Sequence, residues 1–370
     1  MSVVLTRFFT ASALGVGNAE TLANYRRGVA PGMHEMEGDI PGRKIWFGSV
    51  PGDLPEISEP QWNMRTNRLL KLAVGSAELK ESLKALVGKY GADRIGIVLG
   101  ASNTGIDEAQ GHVETWLEQG EKPAALEFSM IELGTPSLYL KELLGTKGPA
   151  YTISTACSSA TKAFGAARRL LEAGLCDAVV TGGVDGRCRF AMNGFHALGA
   201  LSEGRCRPLA PDRDGINLGE AVALFIAEWG DQASPTSHGP TIVLRSVGES
   251  SDAHHATAPD PTGTGAEVAM LAALAAAGMN PSDVDYVNLH GTGTQANDAM
   301  EMLAVGRVFG EGAERPRCES TKSLTGHCLG ASGAVEAALC ALLIEAGDVK
   351  SALSNSFAFG GSNASVILSA

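Results

Sequence analysis

The sequence has no CxxC pair among its seven cysteines, no block of like charge long enough to make a tail, and no apolar run near the ~18 residues of a membrane-spanning helix. Without CxxC pairs and with an odd cysteine count, a structural zinc site and a disulfide framework are both disfavoured, and a reducing compartment is expected. Basic residues are also short, 29 against 41 acidic, and the net charge of −12 argues against a broad nucleic-acid surface. Aromatics reach only 5% and low-complexity tracts are missing, so disorder and coiled coil are not indicated. Near the N-terminus Arg7 interrupts the apolar stretch Val3 to Leu14, which reads as a first strand of a cytoplasmic protein rather than a secretory leader. Neither a bound metal nor a membrane span is expected.

What the chain does contain is small residues. Forty-six glycines, 44% hydrophobic and 19% charged residues suit a compact α/β enzyme of one large or two similar-sized domains. Strand patterns at Ile95 to Leu99, Ala178 to Thr181, Val222 to Ala227, Thr241 to Leu244 and Val284 to Leu289 alternate with helical patterns at Arg68 to Tyr90, Ala266 to Ala277 and Gly333 to Glu345. The stretch Gly230 to Pro240 reads as a link, dividing the chain into residues 1–232 and 233–370. An internal echo supports two related halves. Glu172-Ala173-Gly174 and Glu345-Ala346-Gly347 each end a small-residue helix that precedes a strand, and aligning them sets Gly330 opposite Cys157.

Cys157 lies between a strand pattern, Tyr151 to Thr155, and a helical one, Ser158 to Glu172, with Ser158 or Ser159 as N-cap and Gly174 as the stop. A thiol at a helix start meets the dipole's positive end and free N–H groups, which favour thiolate. It is a candidate nucleophile, and a small buried residue chosen for fit is the alternative. In the second half, the strand ending at Leu289 leads into His290-Gly291-Thr292-Gly293-Thr294, a turn of close-packing glycines and hydroxyls that can hold a ligand. Lys322 and a second histidine, His327, share the turn Thr321 to His327. Strand ends are where α/β proteins place chemistry.

Thr155-Ala156-Cys157-Ser158-Ser159, His290 to Thr294, Lys322 to His327, and Phe357-Ala358-Phe359-Gly360-Gly361-Ser362-Asn363 occur in the order and spacing of the β-ketoacyl-acyl-carrier-protein synthases. Ser251 to Pro261, Arg213-Asp214-Gly215 and Asn297-Asp298 to Glu301 add to a resemblance that runs from about Val3 to the C-terminus. It implies a thiolase-like α/β fold, duplicated halves forming a five-layered αβαβα sandwich, as a homodimer or a heterodimer with a related ketosynthase subunit. It implies an acyltransferase that joins malonyl-acyl carrier protein to an enzyme-bound acyl thioester by decarboxylative Claisen condensation. The pathway would be fatty acid or polyketide assembly. No cofactor is implied, because the carrier protein brings the phosphopantetheine.

Carried over by position, Cys157 would take the acyl group, and His290 and His327 would hold the malonyl thioester carbonyl. Backbone N–H groups of Cys157 and Phe359 would bind the acyl oxyanion, and Lys322 would orient His327. Thr292, Thr294, Thr257, Phe357 and Phe359 would contact substrate, with Phe359 as gate. The segment around Cys157 and Asn193-Gly194-Phe195 resembles synthases of aryl polyene pathways more than fatty acid enzymes. Ala358 departs from the family's glycine and implies a stiffer gate loop, and Leu209-Ala210 replaces an aromatic and acidic pair. A chain-length partner subunit would lack the nucleophile, and a thiolase acting on acyl-coenzyme A would carry a second cysteine where Phe359-Gly360-Gly361 stands. Cys328 is expected to be a buried thiol and Glu301 structural. Arg65 and Arg68 could form a basic entrance patch, and His254 and His255 could touch the arm.

Overall fold

The computed structural model describes residues 2–233, 240–312 and 315–370. Most of the expected link, residues 234–239, lies outside the described residues. The first half contributes strands β1 (Val3–Ser12), β2 (Gly15–Val16), β3 (Met33–Ile40), β4 (Arg43–Gly48), β5 (Ile95–Gly100), β6 (Ala150–Ile153), β7 (Ala178–Asp185), β8 (Leu218–Gly219) and β9 (Ala221–Trp229). Its helices are α1 (Asn18–Arg27), α2 (Arg65–Gly75), α3 (Lys80–Tyr90), α4 (Ile106–Gln119), α5 (Thr135–Leu144), α6 (Ser159–Glu172) and α7 (Arg189–Ala197). The second half adds β10 (Ile242–Ser251), α8 (Thr264–Ala277), β11 (Tyr286–Asn288), α9 (Gln295–Phe309), β12 (Arg317–Glu319), α10 (Lys322–Thr325), α11 (Ser332–Glu345), β13 (Ser351–Phe357) and β14 (Ser362–Ser369).

Strand order makes the duplication explicit. The main sheet runs β12-β11-β13-β14-β10-β1-β9-β7-β5-β6, so the sequence of roles reads the same outward from the β1–β10 seam in both directions. At that seam Val3, Val4 and Leu5 pair antiparallel with Leu244, Val243 and Ile242. The offset that maps α6 onto α11 also maps the start of β7 onto the start of β13. Both helices pack against strands of both halves and form the middle layer. Accordingly α11 is buried all round from Ser332 to Ile344, as expected of a helix with no solvent face. α2, α3 and α5 cover the outer face of the first half, and α8 and α9 that of the second, which completes the αβαβα sandwich.

Sequence periodicity over Arg68 to Tyr90 suggested one helix, and there are two. After Gly75 the chain turns extended at Ser76 (φ −66°, ψ 156°), whose Oγ accepts the Leu79 N–H at 3.3 Å and starts the next turn. Ser158 does precede α6 as expected, but its hydroxyl donates to the Thr155 carbonyl instead of capping an N–H. Gly174 (φ 64°) ends that helix, and Gly347 (φ 75°) ends its counterpart.

Gly330 explains why the second copy cannot carry its own cysteine. A Cβ there would stand 2.6 Å from the Ser102 nitrogen, 2.7 Å from the Ala101 carbonyl carbon and 2.8 Å from Asp185 Oδ2. Gly330→Ala is therefore expected to destabilise the fold by about 1–3 kcal/mol through overpacking. Chemical denaturation would measure it, and an unchanged midpoint would contradict so close an approach.

Candidate active site

Three loops converge at the C-terminal ends of parallel strands, where β5, β6, β7 and β11 stop. Between β6 and α6 the chain passes through Ala156 at φ 51°, a left-handed conformation that costs a non-glycine residue on the order of 1–3 kcal/mol. Leu329, its counterpart before Gly330, has φ 50°. The strained turn is thus a feature of both copies, and in the first it aims the Cys157 thiol across the interface between halves.

His327 meets it there, with Nε2 at 3.1 Å from Cys157 Sγ. His327 is held by its own backbone, whose N–H donates to the Asn217 carbonyl at 2.7 Å and whose carbonyl accepts from Gly219 at 3.1 Å. On the far side of the ring Nδ1 accepts the Leu329 N–H at 3.3 Å and hydrogen-bonds Ser332 Oγ at 2.9 Å. That leaves the ring hydrogen on Nε2, pointing at the sulfur. His290 stands edge-on to His327, ring centroids 5.2 Å apart, and its Nδ1 lies 3.5 Å from Lys322 Nζ. With Lys322 as ammonium, this ring too carries its hydrogen on Nε2. Glu301 fixes the His290 turn by accepting the His290 and Gly291 N–H groups at 2.8 and 2.7 Å. Burial pushes the Glu301 carboxyl up to about 7 while those donors pull it down.

The Cys157, His290 and His327 ligand atoms lie within 4.8 Å of one another, a spacing that could hold a metal ion. Ring polarity fits a different use. A metal-bound histidine turns a lone pair inward and donates from its other nitrogen, whereas both Nδ1 atoms here face donors. Both imidazoles are also held well below their ordinary range, by burial first and the Lys322 charge second. They are neutral donors aimed into one pocket.

The thiol corrects an expectation. A helix start was expected to favour thiolate, yet Cys157 is 6% exposed and burial pushes its thiol up to about 12, against the pull of the Lys322 charge and the Phe359 N–H. Desolvation outweighs the helix terminus in a site this dry. Lys322 corrects another: it contacts His290 and an ion-pair partner, Glu336, rather than orienting His327. Glu336, buried on α11, is pushed up to about 7 by burial, with Lys322 opposing.

A cavity of about 210 Å³ brings together Cys157, His290, His327, Thr292, Thr294, Thr257, Phe357 and Phe359. Lys322 sits behind this lining, 1% exposed. Thr292 and Thr294 share a hydrogen bond at 3.0 Å, and Thr294 also caps α9 by accepting the Asn297 N–H. Phe359, 37% exposed, leans on Phe195 with ring centroids 5.5 Å apart. Ala358 costs the loop nothing, since it is extended (φ −110°, ψ 155°), and the turn is made by Gly360 and Gly361 at φ 79° and 74°. Leu209, the departure before Arg213-Asp214-Gly215, is left-handed at φ 65° and gives its N–H to Asp298.

The proposed basic patch is not free. Arg65 is spent on buried Glu220, and Arg68 donates to the Leu54 and Pro55 carbonyls. His255 orders the pocket rim by accepting the Thr257 and Ala258 N–H groups at 3.1 Å, and His254 is exposed. Cys328 is buried, as expected. Sequence reasoning missed Glu336, Asp185 and the place of Phe195 against Phe359. Asp185 accepts the Ser102 and Asn103 N–H groups at 3.0 and 2.8 Å and ties the β5 loop beneath Cys157. A lone acid in the apolar run of α11 was the available sign for Glu336.

Comparison with known proteins gives the family. Residues 73–232 match the family described as beta-ketoacyl synthase, N-terminal domain, and residues 241–355 match its C-terminal domain. A 3-oxoacyl-[acyl-carrier-protein] synthase 2 from Rhizobium meliloti (strain 1021) is 32% identical, covering 99% of this chain and 98% of its own length. The enzyme of that name from Staphylococcus aureus is 32% identical over 82% of this chain and 84% of its own. Among solved structures, a ketosynthase (ApeO) in complex with its chain length factor (ApeC) from Xenorhabdus doucetiae superposes with a TM-score of 0.91 at 38% identity. The match covers 100% of this chain and 98% of that one.

Proposed function

The chain belongs to the beta-ketoacyl synthase family, and from that premise we propose that it condenses malonyl-acyl carrier protein with an acyl group held on Cys157. The observation that carries this reading is the Cys157 thiol 3.1 Å from His327 Nε2, with His290 beside it and both ring hydrogens turned into one buried pocket. In the first step the sulfur attacks the acyl thioester, the oxyanion is held by the Cys157 and Phe359 N–H groups, and the carrier's pantetheine sulfur then leaves with the proton that the Cys157 thiol gives up. In the second, malonyl carrier protein places its thioester carbonyl between His290 and His327. Loss of carbon dioxide builds charge on that oxygen, and each positioned donor contributes about 3 kcal/mol in a water-excluded site. The carbanion then attacks the acyl carbon of acyl-Cys157, the carbon–sulfur bond breaks, and the Cys157 thiolate takes up a proton to restore the thiol.

Lys322 is a positioning residue in this scheme, since it keeps His290 in the donating tautomer. Thr292, Thr294 and Thr257 would bind the phosphopantetheine arm, with Phe357 and Phe359 against the acyl group. No cofactor beyond that arm is invoked. The nucleophile belongs to residues 1–232 and the histidines to 233–370. Seven free thiols and the lack, among the described residues, of a helix long and apolar enough to cross a membrane support a cytoplasmic site.

A carrier protein is the substrate partner, and the subunit partner is a second copy or a related ketosynthase chain. Exposed Leu117 and Phe190, on adjacent α4 and α7, supply an apolar face for it, and the ApeO–ApeC pair supports the heterodimer. Cys157 with both histidines favours the catalytic member over a chain-length partner, and Phe359-Gly360-Gly361 disfavours a thiolase. The segment around Cys157 supports aryl polyene assembly over primary fatty acid synthesis. Incubation with acyl- and malonyl-carrier protein should give a β-ketoacyl product two carbons longer. Acyl exchange without chain growth would overturn the proposal.

A further inference from the structure

The two active-site histidines are backed by different chemistry. His290 Nδ1 faces the Lys322 ammonium at 3.5 Å, a charged donor. His327 Nδ1 is reached instead by neutral groups, the Leu329 N–H at 3.3 Å and, closer, the Ser332 hydroxyl at 2.9 Å. Ser332 opens α11 and is 2% exposed, and among the described residues its hydroxyl has no other hydrogen-bond partner. A hydroxyl carries one hydrogen, and burying it without an acceptor is costly. Nδ1 is the acceptor within reach, so the hydroxyl donates to it. The reverse arrangement, with a ring hydrogen on Nδ1 donating to the serine, would set that hydrogen against the Leu329 N–H.

The duplication shows how a serine comes to stand there. The offset that sets Gly330 opposite Cys157 also sets Ser332 opposite Ser159, each three residues beyond a left-handed residue, Leu329 or Ala156. In the first half the Ser159 hydroxyl accepts the Thr155 N–H at 2.9 Å and donates to the Ala156 carbonyl, which braces the turn that presents Cys157. In the second half the serine has left the backbone for an imidazole. One position thus supports the nucleophile in one copy and a histidine in the other.

We infer that Ser332 is a positioning residue for decarboxylation: by donating to Nδ1 it polarises the His327 ring, so that the opposite Nε2–H becomes a stronger donor to the malonyl thioester oxygen. This rests on the condensation reading given above. A hydrogen bond accepted on one side of a neutral imidazole draws electron density from the ring, and the N–H on the other side becomes more acidic, as along any chain of hydrogen bonds. No proton changes owner. The gain is largest when negative charge builds on the carbonyl oxygen as carbon dioxide leaves. Ser332 does for His327 with a hydroxyl what Lys322 does for His290 with a charge.

Ser332→Ala deletes the hydroxyl, keeps a good helix former at the start of α11 and leaves the Leu329 N–H on Nδ1. Decarboxylation of malonyl-carrier protein is expected to slow about fivefold in kcat, the size of one neutral hydrogen bond, with KM unchanged. Acyl transfer to Cys157, whose oxyanion rests on backbone N–H groups, keeps its rate. In ¹⁵N-histidine-labelled protein the His327 Nδ1 resonance, identified by its loss in His327→Ala, moves downfield as the nitrogen loses a donor. A purely structural serine would slow both half-reactions together. That result, an unmoved Nδ1 resonance or wild-type decarboxylation in the variant would each overturn the role of Ser332 and leave the condensing reaction standing. A wild type that releases no carbon dioxide from malonyl-carrier protein would overturn the reaction, and the role with it.

Discussion

Cys157→Ala is expected to abolish condensation, by roughly 10⁴-fold or more, while malonyl-carrier protein continues to lose carbon dioxide. The two outcomes separate because the groups that serve them are separate. The sulfur is the one protein atom in the scheme that forms a bond to the acyl group, so its removal leaves nothing to hold the electrophile. The histidine donors keep their supports: His327 remains on Leu329 and Ser332, and His290 remains against Lys322 and Glu301. Carbon dioxide release and product mass, followed in the same samples, give both rates. Condensation that survives the substitution would sink the assignment of the nucleophile.

Replacing either histidine reverses the pattern. His290→Ala or His327→Ala is expected to lower decarboxylation about 10²- to 10³-fold, the cost of deleting one preorganised donor from an oxyanion site. Acyl transfer to Cys157 falls less, because its oxyanion rests on the backbone N–H groups of Cys157 and Phe359. Neither substitution leaves a buried charge behind, since both rings are neutral in the folded protein. Stopped assays of each half-reaction measure the split. Equal loss of both would contradict these roles.

Much of this site was legible from the order of short motifs, and the fold's duplication was legible from two repeated triplets. The reason is physical: glycine-rich turns, a cysteine at a helix start and a histidine after a strand are local features with local signatures. What escaped reading depends on contacts across the molecule. Nothing near Lys322 in sequence says that its partner is Glu336 on the next helix, and this partner is why the lysine faces His290 instead of His327. The thiol's elevation reflects a desolvated interface between halves, which outweighs the local helix-terminus argument. Arg65 looked available for a carrier protein until Glu220, more than a hundred and fifty residues away, was seen to claim it. Phe195 stood out in sequence only as part of the Asn193-Gly194-Phe195 resemblance, and its place against Phe359 needed the ring contact. The break at Ser76 needed only one serine hydroxyl, too weak a sign to override the helical period on either side.

The central claim is that Cys157 carries the acyl group through the condensation. Intact-protein mass and peptide mapping after incubation with acyl-carrier protein alone test it most directly. One acyl adduct on the Cys157 peptide is expected, and it should disappear on addition of malonyl-carrier protein as the β-ketoacyl product forms. An adduct on any of the other six cysteines, or one that persists while product accumulates, would contradict the account.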